Sequence, residues 1–190
     1  MTAPRTASSA RAWGIVLGTV GLVYASLPVS RDVLIALVQR DLMGWVITGS
    51  YFAAAVVVVY HVVFDVRLTD RVAFGALTLL GLVIGALVLG MEVPEERMHF
   101  LQYGLIALLA RRALAGARPV LQYALAVLLA ALFGLGDELI QGALPDRVYD
   151  PRDVLVNGVA AALALMGYEA LHDQLGWRRR PPAPPEASLP

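Results

Sequence analysis

Six apolar runs, each close to the length that crosses a bilayer, follow one another along this chain. They lie at about 13–29, 44–64, 72–90, 97–115, 119–143 and 152–172. A spanning helix needs about 20 mostly apolar residues, so the repetition predicts an all-α, polytopic transmembrane bundle. With 58% hydrophobic residues and a mean hydropathy of +0.68, the chain is too apolar for an ordinary soluble domain. The short connections among the third to sixth segments predict that consecutive helices are antiparallel neighbours. Gly14/Gly18 and Gly81/Gly85 are candidate small-residue contacts between helices.

The rest of the chain divides around these spans. Residues 1–12 are small and polar and predict a disordered start. Residues 13–92 hold the first helices, including an extra helical pair, and 93–175 hold the last three. From 176 to 190 the many prolines predict a disordered tail. Residues 31–42, RDVLIALVQRDL, can gather Val33, Leu34, Leu37 and Val38 on one face, which predicts a short helix lying in the membrane interface. An ordinary connecting loop is the alternative reading.

Charge gives an orientation. Every basic residue is an arginine. With the N-terminus in the cytoplasm, the inner side holds Arg5, Arg11, Arg67, Arg71, Arg111, Arg112, Arg118 and Arg178 to Arg180, against Arg31, Arg40, Arg97, Arg147 and Arg152 outside. This bias predicts a multi-pass plasma-membrane protein with both termini inside. A cleavable signal formed by the first segment is the alternative, and leaves the later helices in place. The arginines are spread over short loops rather than gathered on one face, so no nucleic-acid partner is implied. The absence of cysteine excludes disulfides, thiolate metal sites and a cysteine nucleophile.

Three polar groups interrupt the last three spans near the same end. His99 and Tyr103, four apart, share a helix face with Glu95 one turn earlier. Asp137, Glu138 and Gln141 close the fifth span, and Asp153 and Asn157 open the sixth. Ionisable groups within spanning helices are costly and by default mark a functional site. Plainer readings compete. Glu96 and Asp153 fall in first turns, where acids complement the helix dipole, and Asp150 followed by Pro151 reads as a cap. Asp137 and Glu138 resist such a reading, because they are adjacent acids at the negative end of a helix dipole. They require a compensating cation, a shared proton or a wet cavity. Arg147 and Arg152 are the nearest cations in sequence. Adjacent residues diverge by about 100° on a helix, so one acid suffices to face His99, and Glu138, which shares a face with Gln141, is the choice.

The candidate catalytic residues are therefore His99, Glu138 and Asp153, with Tyr103, Asp137, Gln141, Arg147 and Asn157 as binding residues. A metal site from His99, Glu138 and Asp153 is conceivable, but no tight ligand motif is present, so none is predicted, and no cofactor is implied. His61 and His172 read as anchors or caps at the inner interface, and Trp13, Trp45 and Trp177 as interfacial belt residues.

The stretches EERMHFLQYGL (95–105), GDELIQ (136–141) followed by Pro145-Asp146-Arg147, and DVLVNG (153–158) resemble, in order, three motifs of VanZ-like membrane proteins. The final glycine of the third motif is replaced here by Ala160 or Ala161. The resemblance covers about 95–167 and leaves the helical pair at 44–90 outside. It implies site roles for His99, Tyr103, Glu138, Gln141, Arg147, Asp153 and Asn157. By analogy with the family's namesake it also implies teicoplanin resistance.

Three functions compete. The first is an enzyme acting by Glu138 and His99 on a lipid-linked envelope component or an amphiphilic antibiotic, with Arg147 binding an anionic group. The second is a binding or accessory protein with the same pocket and no turnover. The third is a small transporter or flippase, disfavoured because the inner halves of the helices look nearly bare of polar residues. Membrane lipid is the one partner expected in every case. Nothing in the sequence fixes the oligomeric state.

Overall fold

The computed structural model describes residues 5–66, 70–91, 94–145 and 147–173. Among them every regular element is helical, as the apolar runs predict. The helices are α1 (Arg5–Gln39), α2 (Met43–Tyr60, continued by a π-helical segment His61–Val66), α3 (Arg71–Gly90), α4 (Pro94–Ala113), α5 (Pro119–Ala143) and α6 (Pro151–His172). The 176–190 tail, Asp146, and the side chain of Glu95 lie outside the described residues.

The helix ends follow local chemistry. Asp70 caps α3 through the Val72 amide at 2.8 Å, and Asp150 caps α6 through the Arg152 amide at 2.8 Å. Pro119 and Pro151 occupy first turns, where a missing amide hydrogen costs nothing. Asp41 after α1 and Asp173 after α6 adopt the left-handed conformation, with φ of 55° and 46°.

Among the described residues, five helices are long and apolar enough to cross a membrane: Ser9–Ser30 within α1, Met43–Phe64, α3, α5 and α6. The sixth long helix, α4, has 20 residues and is more polar. It packs against α1, α5 and α6, which buries Tyr103 fully and partly covers His99 and Gln102. Helices α4, α5 and α6 form the centre, α1 leans on α4 and α5, and α3 lies against α6. Their shared core is alanine-rich: Ala107, Ala110, Ala126, Ala130 and Ala161 are buried with Tyr103, Ile106 and Leu165. Small side chains let helix backbones approach where lipid offers no hydrophobic drive for association.

Three expectations need correction. Residues 31–42 form neither a separate interfacial helix nor a simple loop. Residues 31–39 prolong α1, which runs unbroken through Pro28, and 40–42 connect it to α2. Pro28 removes one amide donor, and around it Ser26 Oγ donates to Val23 O at 2.7 Å and Ser30 Oγ to Leu27 O at 2.9 Å. The helix also starts at Arg5, so 5–12 is helical rather than disordered, with residues 1–4 outside the described residues. Lastly, Gly14, Gly18, Gly81 and Gly85 have nothing within contact distance of an added Cβ. The close approaches lie instead at Gly134, against Asn157, and at Gly136, against Tyr24. Two residues apart on α5, they point about 200° apart, Gly134 toward α6 and Gly136 toward α1.

Candidate functional site

The site is built where the C-terminal end of α5 meets the first turns of α4 and α6. Asp137 and Glu138 are 0% and 1% exposed, and Tyr103 and Asn157 are 0% exposed. Tyr103 Oη on α4 donates to Asp137 Oδ2 at 2.8 Å. Gln141, one turn beyond the acids, donates through Nε2 to Asp137 Oδ1 and to Glu138 Oε1, both at 3.2 Å. The second Glu138 oxygen accepts from the Asp150 amide at 3.1 Å, just before α6.

The adjacent acids therefore face different partners. Asp137 turns to α4, and its Oδ2 lies 3.9 Å from His99 Nε2. Glu138 turns to the connection with α6. The expectation that Glu138 alone faces His99 is thus incomplete. Asp137 makes the ion-pair-distance contact, while Glu138 joins His99 and Asp153 in a cluster whose facing atoms lie within 4.8 Å of one another. The divergence of successive side chains on α5 is satisfied by having a neighbour on each side.

Arg147 arrives from the connection between α5 and α6. Its Nη1 donates to Gln141 Oε1 at 3.2 Å and its Nη2 to Ser30 Oγ at 2.9 Å. Gln141 thus relays between the guanidinium and both carboxylates. Arg147, Gln141 and His99 line a cavity of about 360 Å³, whose other walls come from α1 (Leu27, Ser30, Val33, Leu34, Leu37), Met43 and Val46 of α2, and Met98 and Gln102 of α4. The prolonged end of α1 is one of those walls. Asn157 sits one turn below Asp153, its amide wedged against Gly134, and neither its Oδ1 nor its Nδ2 has a hydrogen-bond partner among the described residues. Asp153 lies in the first turn of α6, but the cap itself is Asp150.

All eight sequence-predicted site residues thus gather in one region. Sequence reasoning missed Ser30, Tyr24, whose Oη donates to Phe133 O at 2.6 Å, and Tyr51, whose Oη donates to Arg97 O at 2.6 Å. A polar residue on an N-terminal span carries no local sign of its partner some 50 to 120 residues later. It also missed a second polar group at the opposite end. There the buried Glu169 accepts from Tyr123 Oη at 2.8 Å. Arg111 lies 3.8 Å from the Tyr168 ring centre, and the His61 and His172 rings stack at 5.6 Å. That end is not bare, so the argument raised from it against transport is weaker than the sequence implied.

Residues 91–172 match the VanZ/LLP1 family model, a span that takes in all of α4, α5 and α6. This three-helix core is VanZ-like. The matched residues carry all eight sequence-predicted site residues, and with five helices among the described residues able to cross a bilayer they make the chain a membrane protein. Neither a curated protein nor a solved structure matches the chain.

Proposed function

We propose that this VanZ-like protein sits in the plasma membrane with both termini in the cytoplasm. Its polar pocket opens to the outer leaflet, where it takes the anionic part of a lipid-linked envelope component or of an amphiphilic glycopeptide such as teicoplanin. Arg147, held by Gln141 and Ser30 at the cavity wall, supplies the anion contact. Glu138 and His99 supply acid and base, with Asp153 completing the catalytic group. Tyr103, Asp137, Gln141 and Asn157 bind and orient. The observation that carries this reading is the pair of buried neighbouring carboxylates at the negative end of the α5 dipole, joined by hydrogen bonds to residues of α4 and of the connection to α6. Such a costly arrangement within a membrane protein is kept for function.

One observation favours a second reading, an accessory protein that binds without turnover. Both Glu138 oxygens already accept hydrogen bonds, which suits a group that holds a wall in place as well as one that moves a proton.

Expression in a teicoplanin-susceptible bacterium separates these readings. The wild-type chain should raise the inhibitory concentration, and Arg147→Ala should abolish the gain. Glu138→Gln keeps the shape and removes the charge. If Glu138→Gln and His99→Ala also abolish the gain at equal membrane abundance, catalysis stands. Full activity in both, with none in Arg147→Ala, refutes catalysis and leaves binding.

A further inference from the structure

Resting on that reading of the pocket, we propose that His99, Glu138 and Asp153 form a three-ligand site for a divalent first-row cation of the Zn²⁺ or Mn²⁺ type, with its remaining coordination positions open. The three residues come from three different helices, α4, α5 and α6, yet one ligand-capable atom from each lies within 4.8 Å of the other two. Two ligands bound to one ion at about 2.1 Å each stand at most about 4.2 Å apart. In a tetrahedral shell the separation is about 3.4 Å, so the widest pair must draw in by as much as about 1.4 Å, a rearrangement of the Asp153 and His99 side chains about the held Glu138 carboxylate.

Three further observations fit an ion there. First, His99 turns Nε2 to Asp137 at 3.9 Å, while Nδ1 is buried and has no hydrogen-bond partner among the described residues. A metal-binding imidazole commonly donates its other N–H to a carboxylate, and Asp137 stands close enough to Nε2 to take that role once the ring shifts toward an ion. Second, each Glu138 oxygen accepts one hydrogen bond, from Gln141 or from the Asp150 amide. A carboxylate oxygen has two lone pairs, so the carboxylate is held in position with capacity left for an ion. Third, the fully buried Asn157 amide one turn below Asp153 has no hydrogen-bond partner among the described residues, an unmet polar demand that a water carried in with an ion would answer.

The donor set chooses the ion class. One imidazole with two carboxylates and no thiolate suits Zn²⁺ or Mn²⁺, whereas Ca²⁺ and Mg²⁺ favour all-oxygen shells. An ion with positions left open belongs to the catalytic rather than the structural type. A divalent charge also answers why three acids, Asp137, Glu138 and Asp153, crowd one imidazole.

The test uses the full untagged chain in detergent micelles, stripped with a chelator, dialysed against Zn²⁺ or Mn²⁺, and assayed for metal by mass spectrometry. One ion per chain is expected. X-ray absorption of the Zn²⁺ form should show nitrogen and oxygen neighbours with an imidazole signature. His99→Ala, Glu138→Gln and Asp153→Asn should each weaken binding at least tenfold. Asp137→Asn should weaken it about 10- to 100-fold through the imidazole it backs, and Arg111→Ala, at the other end, should leave it unchanged. Circular dichroism identifies any variant that fails to fold, and the wild-type absorption spectrum reads the imidazole without any variant. Less than a tenth of an ion per chain for both metals, no imidazole in the spectrum, or equal binding by folded ligand variants overturns the site. If the ion fails while Arg147→Ala still abolishes resistance, the pocket reading survives alone. If the ion binds while Arg147→Ala and His99→Ala keep full resistance, the cation site survives and the pocket reading falls.

Discussion

Tyr103→Phe isolates one bond of the buried network. The substitution keeps the ring and removes only the hydroxyl, so it leaves no large cavity. What is lost is the 2.8 Å hydrogen bond to Asp137 Oδ2. A hydrogen bond to a charged group contributes about 1.5–3 kcal/mol in soluble proteins, whereas interhelical hydrogen bonds in membrane proteins average about 0.6 kcal/mol and reach about 1.7 kcal/mol. Two features place this one at the upper end of the membrane range. Donor and acceptor are both 0% exposed, and Asp137 keeps only the Gln141 amide and the more distant His99 among its described polar contacts. The expected loss is about 1.5 kcal/mol, or roughly a tenfold shift in the unfolding equilibrium. Tyr123→Phe is the internal reference. It removes a bond of the same 2.8 Å length, to Glu169, from a tyrosine that is only partly buried, and the expected loss is nearer 0.5 kcal/mol, about the membrane average. Reversible unfolding in mixed micelles, titrated with a denaturing detergent, measures both. A Tyr103→Phe loss equal to or below that of Tyr123→Phe would refute the view that the α4–α5 contact is a desolvated bond stronger than its partly exposed counterpart.

Two further outcomes follow from the geometry. Gly136→Ala places a methyl group against Tyr24 Oη, which must abandon its bond to Phe133 O, so a loss of about 1–3 kcal/mol is expected. Gly81→Ala meets nothing and should stay within about 0.5 kcal/mol of wild type in the same titration. Because the chain has no native cysteine, single cysteines report topology cleanly. An impermeant thiol reagent applied to whole cells should label position 147 and spare position 112, and the reverse pattern contradicts the proposed orientation.

The sequence exposed the fold and the site unequally. The bundle was legible because bilayer length leaves so few options for long apolar runs. The His99/Tyr103, Asp137/Glu138/Gln141 and Asp153/Asn157 groups were legible because helical spacing puts each on one face, and their depths agree. Asp150 was legible as a cap from Pro151 beside it. The path of α1 past Pro28 was not, since a proline ordinarily interrupts a helix and the serines on either side of it are equally at home in a turn. Ser30 and Tyr24 were hidden for a different reason: their partners lie on α5 or beyond it, and only tertiary packing joins them. The glycine pairs misled because spacing identifies a small face but not whether a neighbour covers it. Glu169 drew no reading from the sequence, since one of its partners, Tyr123, lies on α5 and is brought to it only by packing.

The central claim is that side chains from α4, α5 and α6 meet in a single site. Paired cysteines at 99 and 153, joined by a short bifunctional thiol reagent in native membranes, test it most directly. Efficient cross-linking is expected for the 99/153 and 99/138 pairs, and none between 111 and 153, which lie at opposite ends of the bundle. Single labelling at both 99 and 153 with no cross-link between them, or a 111/153 product of equal yield, would contradict it.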